Sequence, residues 1–272
     1  MNYVQLKIKV SGNEELTELL IAQLASMGFD GFEESGGFLM AYISQENYNV
    51  EDVAILLNEL TVPHEVHSVA QQNWNAQWEA NFSPVIVDDF VAIRANFHTP
   101  ITTTQYEIVI TPKMSFGTGH HATTYLMLQL MASIDFQQKS VFDFGTGTGI
   151  LAIMAEKLGA TKILAVDCDE WSITNSSENF EINNIQNCTL QQASTANTNE
   201  QFNIILANVN RNIILENLQY FVNSISANGL ILLSGLLVTD VSEIEKVLKQ
   251  STKCTLQRLI EKDGWVAMQW CA

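Results

Sequence analysis

The residues with the most chemical content lie in one stretch, Val141-Phe142-Asp143-Phe144-Gly145-Thr146-Gly147-Thr148-Gly149-Ile150-Leu151, an apolar run that enters a glycine-rich turn and leaves as a helix. Glycine allows such a turn, and lets a ligand lie against the backbone, because it has no Cβ. The next apolar run ends in Asp167, 22 residues after Gly145. A carboxylate there can accept hydrogen bonds from both hydroxyls of an adenosine ribose. Each such charged acceptor bond contributes about 1.5–3 kcal/mol. An acid that merely ends a strand is the bland alternative.

Two cofactor classes use a turn of this kind, and the glycine spacing separates them. A nicotinamide-dinucleotide fingerprint, G-x-G-x-x-G, would need glycine where Ile150 stands. The pattern E/D-x-G-x-G-x-G of adenosylmethionine-binding methyltransferases is matched by Asp143, Gly145, Gly147 and Gly149. S-adenosylmethionine has no pyrophosphate. Its amino-acid end needs polar groups near the turn, which Asp143 and the flanking backbone can supply.

A second glycine segment, Thr111-Pro112-Lys113-Met114-Ser115-Phe116-Gly117-Thr118-Gly119-His120-His121-Ala122-Thr123-Thr124, precedes another helix. Its amides and hydroxyls, from Phe116, Gly117, Thr118, Gly119 and Thr124, can meet a ligand carboxylate or cap the helix. Ligand contact is favoured. His120 and His121 have no partner at metal-ligand spacing, so packing or hydrogen bonding is the expectation for both, and no metal is expected. Asn208 ends a later apolar run, at the sheet edge where such folds bind ligands. It can meet a reacting amine, or cap the next helix.

These residues need a scaffold, and the 272-residue chain is long enough to supply one large domain or two ordinary ones. Residues 4–10 alternate as a strand, residues 14–27 carry one apolar helical face, and residues 29–34 and 38–43 flank a Gly36-Gly37 turn. A second helix over 50–60 and a strand over 65–69 complete a βαββαβ order, which predicts a ferredoxin-like α+β domain over residues 1–70. Residues 71–82, with Trp74 and Trp78 four apart, read as a helical linker whose tryptophans pack between domains. Strands are predicted at 90–94 and 106–110. From Lys139 onward strands alternate with helices: strands at 141–144, 163–167, 189–192, 202–207 and 230–233, helices at 150–158, 172–182, 213–225 and 241–248. That alternation predicts a mostly parallel, Rossmann-like sheet over residues 83–272. A hairpin over 254–270 closes it.

Composition narrows the partners. The formal net charge is −17, with only 13 Lys and Arg. Phosphate backbones are held by clustered cations, so direct nucleic-acid binding is not expected. Residues 1–70 hold eleven acids against two lysines, which makes that domain a candidate docking module for a basic partner. The scattered Cys168, Cys188, Cys254 and Cys271 suggest a reducing compartment. With no secretion pattern and no membrane-length apolar run, a cytoplasmic protein is expected, read as a monomer.

The chain resembles the ribosomal protein L-eleven methyltransferases along nearly its whole length. The likeness rests on Asn73-Trp74-Asn75 with Trp78, Phe116-Gly117-Thr118-Gly119 with His121 to Thr124, and Asp143-Phe144-Gly145 with Gly147 and Gly149 to Ile153. Lys157 to Ala160, Val166-Asp167, Ala207-Asn208, Leu233-Ser234-Gly235 and Trp265 add to it. The resemblance implies a seven-stranded methyltransferase domain and S-adenosylmethionine as methyl donor. It also implies N-methylation of amino groups of the large-subunit protein L-eleven, gripped through the first domain. Thr124, Gly145, Asp167 and Asn208 become the implied cofactor contacts. Lys113 and Ser115 stand where the family has Gly and Ala, Thr146 where it has Cys, and Val209-Asn210 where it has Ile-Leu. A nicotinamide-dependent oxidoreductase, a cofactor-binding protein without catalysis, and a methyltransferase of another protein or a small molecule are the alternatives.

Overall fold

The computed structural model describes residues 3–69, 82–113, 117–251 and 254–272. Trp74 and Trp78 of the expected linker, and Met114, Ser115 and Phe116 of the second glycine segment, lie outside the described residues. The chain divides into two compact units, Met1–Phe82 and Ser83–Ala272.

In the first unit β1 (Tyr3–Lys9) alternates as its sequence demands, with Val4, Leu6 and Ile8 inward. Helix α1 (Glu14–Ser26) starts where the Asn13 side chain accepts from the Leu16 amide at 3.1 Å, with Glu14 and Glu15 favourable at the positive end of the helix dipole. Strands β2 (Gly31–Ser35) and β3 (Phe38–Ser44) form the expected hairpin. Helix α2 (Val50–Glu59), capped by Asn49, and β4 (His64–Val69) follow. The sheet order is β2-β3-β1-β4, with β1 antiparallel to both β3 and β4. Leu6, Ile8, Leu20, Leu24, Leu39 and Leu57 are fully inside its core.

The second unit opens with a small sheet, β5 (Val85–Val87), β6 (Val91–Ala95) and β7 (Tyr106–Ile110), in the order β5-β6-β7. The strand β5 was not expected, because three residues are too few to display an alternation. Arg94 clasps Glu107 across β6 and β7 with bonds of 2.8 and 3.0 Å, and this pairing holds the Glu107 carboxyl below its usual range.

The main body follows: α3 (Ala122–Met131), β8 (Ser140–Phe144), α4 (Ile150–Lys157), β9 (Lys162–Asp167), α5 (Glu170–Ile182), β10 (Cys188–Gln192), β11 (Phe202–Asn208), α6 (Arg211–Ser224), β12 (Ile225–Leu237), α7 (Val241–Ser251), β13 (Thr255–Lys262) and β14 (Trp265–Cys271). Its seven strands run β10-β9-β8-β11-β12-β14-β13. The first five are parallel and β14 is antiparallel to both neighbours. Phe142, Phe202, Phe221 and Trp270 fill the core on which the strands lie. Strand β12 is far longer than the expected 230–233. Ser226-Ala227-Asn228-Gly229 does not read as a strand, yet Asn228 donates to the Ala272 carbonyl and the Ala272 amide to Gly229, so pairing with the chain's end extends it.

Helix α5 carries a polar face inward, where an amphipathic helix normally turns apolar residues. Asn175, Asn179 and Asn183, one turn apart, line up along the free edge of β7. Asn183 accepts from the Val109 amide (3.0 Å) and donates to the Val109 carbonyl (2.6 Å), while Asn179 accepts from Thr111 (2.8 Å) and Asn175 donates to its carbonyl (3.1 Å). Three side-chain amides thus replace a neighbouring strand. Asn179 also donates to the Thr148 carbonyl at 2.8 Å, which ties that edge to the glycine turn. Asn179→Ala strands the Thr111 amide and the Thr148 carbonyl away from water. A loss of about 2–4 kcal/mol in the urea unfolding of the intact protein is expected.

Candidate active site

The carboxyl ends of the parallel strands converge on a cavity of about 460 Å³, within the usual range for small-molecule sites. Its floor is the glycine turn after β8. The Gly145 and Thr146 amides both donate to the Val166 carbonyl at 2.9 Å, and Gly149 donates to Thr146 at 2.8 Å, which pins the turn to β9. Gly145 has φ of 74°, and a Cβ there would come within 2.2 Å of Val209. Gly235, with φ of 83°, would bring a Cβ to 2.1 Å from the Val209 carbonyl oxygen. Val209 is therefore clamped between two positions that tolerate no side chain.

Asp167 sits in the cavity wall with both oxygens anchored. Oδ2 accepts from the Gly147 amide at 2.9 Å and Oδ1 from the Asp169 amide at 3.0 Å. Each oxygen keeps acceptor capacity for a ligand hydroxyl. Around it lie Cys168, Ser172, Ala193 and Ser194, from the ends of β9 and β10 and the first turn of α5. Asn208, Asn210, Gly235 and Trp265 line the opposite end, at β11, β12 and β14. Strands β9 and β12 are three places apart in the sheet, about 14 Å at the usual strand spacing.

Asn208 donates from Nδ2 to Thr124 Oγ1 at 3.3 Å, and its Oδ1 is buried without a hydrogen-bond partner. It does not cap the next helix. That role belongs to Asn210, whose Oδ1 accepts from the Ile213 amide at 3.1 Å. An acceptor held in place and left unsatisfied is suited to an N–H that arrives with a ligand.

The remaining candidates occupy different places. Gly117 and Thr124 line a small recess beside Gly145, Gly147 and Asn208, and the Gly117 carbonyl accepts from Thr148 Oγ1 at 2.6 Å. Gly119 packs on β6, where a Cβ would meet Ile93 at 2.6 Å, and Thr118 Oγ1 lies 3.1 Å from His120 Nδ1. Neither lines the cavity. Asp143 is fully buried beneath the turn, where Thr146 Oγ1 donates to its Oδ2 at 2.7 Å and Oδ1 has no partner. It braces the turn and forms no part of the cavity wall. Burial pushes its carboxyl up to about 7; the charge of Asp167 adds to this, while Thr146 and a backbone bond at Ala152 oppose it. His120 bonds the Ser83 carbonyl at 2.8 Å. His121 caps α3 and meets Trp265 edge to face, ring centres 4.7 Å apart. Among the described residues no three His, Cys, Asp or Glu side chains converge as metal ligands, and no helix is long and apolar enough to cross a membrane.

Four of the five departures from the family pattern acquire structural roles. Lys113 pairs with Glu178 at 2.6 Å, Thr146 holds Asp143, Val209 fills the clamp and Asn210 caps α6. Ser115 lies outside the described residues. Sequence reasoning missed Ser172, Ala193 and Ser194. The rule that ligands bind beyond the carboxyl ends of parallel strands would have pointed to Ala193 and Ser194, which directly follow β10.

A sheet of this order, its penultimate position filled by the antiparallel final strand, with a glycine turn and an acid at adjacent strand ends, defines an α/β methyltransferase. The family model described as "Ribosomal protein L11 methyltransferase" matches residues 9–271, and the chain belongs to that family. Proteins of that name from Porphyromonas gingivalis (35% identical, covering 94% of this chain and 91% of the relative) and Chlorobaculum tepidum (37%, covering 98% and 95%) are similar to it. A crystal structure of ribosomal protein L11 methylase from Lactobacillus delbrueckii subsp. bulgaricus matches with a TM-score of 0.65 and 28% identity, over 70% of this chain and 98% of the other. With the family shown, the oxidoreductase and the non-catalytic alternatives fall.

The buried acid has a pH signature. Below about pH 3.8 Asp143 is neutral in both folded and unfolded chains; from there to about 7 only the unfolded chain releases its proton, so stability falls as pH rises. Above about 7 the loss is complete. Asp143→Asn keeps the shape and removes the titration. The variant is expected to gain on the order of 4 kcal/mol over the natural chain between pH 4 and pH 8, measured by urea unfolding across that range.

Proposed function

We propose that the chain is an S-adenosylmethionine-dependent N-methyltransferase acting on amino groups of ribosomal protein L11, lysine side chains and the α-amine. The anchored Asp167 carboxylate carries this reading. It faces a cavity floored by bare glycine backbone, the donor-and-acceptor set that a nucleoside with an amino-acid tail requires. Asp167 would hold the ribose hydroxyls, with Cys168, Ser172, Ala193 and Ser194 around the base. Gly145, Gly147, Gly117 and Thr124 would meet the amino-acid end. Bound there, S-adenosylmethionine supplies an electrophilic methyl on a sulfonium centre.

The chain's residues mainly position the reactants. A lysine must shed a proton before its nitrogen can act, at about 4–5 kcal/mol near pH 7 unless the site shifts it. Asn208 Oδ1, oriented by Thr124, is placed to accept a hydrogen bond from one of the two remaining N–H groups and aim the lone pair. Partial exclusion of water by Trp265 and His121 favours the neutral amine. No side chain is assigned as a base.

The first unit is read as ferredoxin-like, supported by its βαββαβ order and its β2-β3-β1-β4 sheet. Eleven acids against two lysines over residues 1–70 suit it to grip a basic ribosomal protein, as one cytoplasmic monomer docking its substrate without direct nucleic-acid contact.

Asp167→Ala removes two charge-assisted bonds and is expected to weaken S-adenosylmethionine binding by at least about a hundredfold in calorimetry; unchanged affinity refutes the assignment. Deletion of residues 1–70 is expected to abolish methyl transfer into L11 while cofactor binding persists. Mass spectrometry of ribosomal proteins incubated with enzyme and S-adenosylmethionine identifies the modified amines, and unmodified L11 would refute the substrate.

A further inference from the structure

At the amine end of the cavity the chain leaves the sheet through two consecutive exposed apolar residues. Leu236 is fully buried, but Leu237 and Val238 are 43% and 45% exposed. Isolated exposed apolar side chains are ordinary on any surface. These two are adjacent, and both are bolted to the cavity wall. Leu237 stands opposite Trp265 in the β12–β14 ladder, two residues beyond Gly235, and Val238 donates to the Gly264 carbonyl at 3.2 Å. Trp265 and Gly235 both line the cavity.

The rim beside this pair carries charge. Asp240 accepts from the Leu237 amide at 2.8 Å, which fixes the shelf, and Arg211 lies 3.5 Å from Asp240 and 3.4 Å from Glu243. One cation facing two acids leaves a net negative rim, with Glu243 half exposed. Arg211 directly follows Asn210, so the rim is continuous with the end of the cavity where Asn208 Oδ1 waits for a donor.

Resting on the proposed function, we infer that Leu237 and Val238, with Glu243 beside them, form the surface of the catalytic unit that receives the polypeptide flanking the target amine. The occupant is a segment of a basic protein. An apolar side chain next to the modified residue lies on Leu237 and Val238, and a neighbouring Lys or Arg reaches Glu243. A polypeptide whose amine enters between Asn208 and Trp265 passes beside this shelf, because Leu237 is paired with Trp265 and follows Gly235 by two residues. Selection of the modified site is thus divided between the acidic first unit, which captures the protein, and the shelf, which chooses the segment.

The test measures methyl transfer into purified ribosomal protein L11 by the full chain and by the double variant Leu237→Ser/Val238→Ser, with S-adenosylhomocysteine affinity from calorimetry as a second readout. The expected result is a KM for L11 raised tenfold or more, with kcat and S-adenosylhomocysteine affinity within twofold of the natural chain. Glu243→Gln is expected to raise KM several-fold on its own. An unchanged KM in the double variant, or a fall confined to kcat, overturns the shelf while the activity stands. A natural chain that binds S-adenosylhomocysteine but transfers no methyl to L11 overturns the proposed substrate, and the shelf with it. If the double variant loses S-adenosylhomocysteine affinity, Val238→Ser alone decides by the same KM criterion.

Discussion

The hydrogen bond from the Gly147 amide to the Asp167 carboxylate joins the two halves of the site, and most of the second unit is arranged so that it can form. An acid at the end of β9 must meet a turn at the end of β8, one strand spacing away. The turn reaches it with Gly145 and Gly147 in the left-handed conformation that favours glycine, and it is held there by paired amides on the Val166 carbonyl. Once made, the bond orients the acid before any ligand arrives. Such preorganisation spares the ligand the cost of ordering its own binding group.

Other constraints follow from that junction. The turn must be supported from below, and Asp143 with Thr146 does this at the expense of a carboxyl pushed towards neutrality. It must be closed from the side, which Val209 does between Gly145 and Gly235. The exchange of an Ile-Leu pair for Val209-Asn210 therefore leaves the junction intact, since a β-branched residue still fills the clamp and Asn210 is a good helix cap.

Much of this was legible in the sequence because it depends on backbone. Glycine spacing, the acid 22 residues onward and the strand-helix alternation are consequences of chain geometry, and they located Gly145, Gly147, Asp167 and Asn208 in the cavity wall. What was not legible depends on burial. Asp143 reads as an acid near a ligand, and only its complete enclosure shows it to be a brace. The length of β12 escaped notice because its first residues owe their conformation to the chain's last ones. The role of the asparagines of α5 was not legible either, since sequence periodicity reports polarity and cannot tell water from a strand edge as the partner.

That asparagine row has a consequence for how the protein coexists with copies of itself. An unpaired strand edge is a template on which another chain can add, the usual start of swapped or fibrous assemblies. Here the outer amides and carbonyls of Val109 and Thr111 are already satisfied by groups that cannot propagate a ladder. A row of amide side chains ends this edge as a full stop ends a sentence: at Val109 and Thr111 the outward hydrogen bonds are already made.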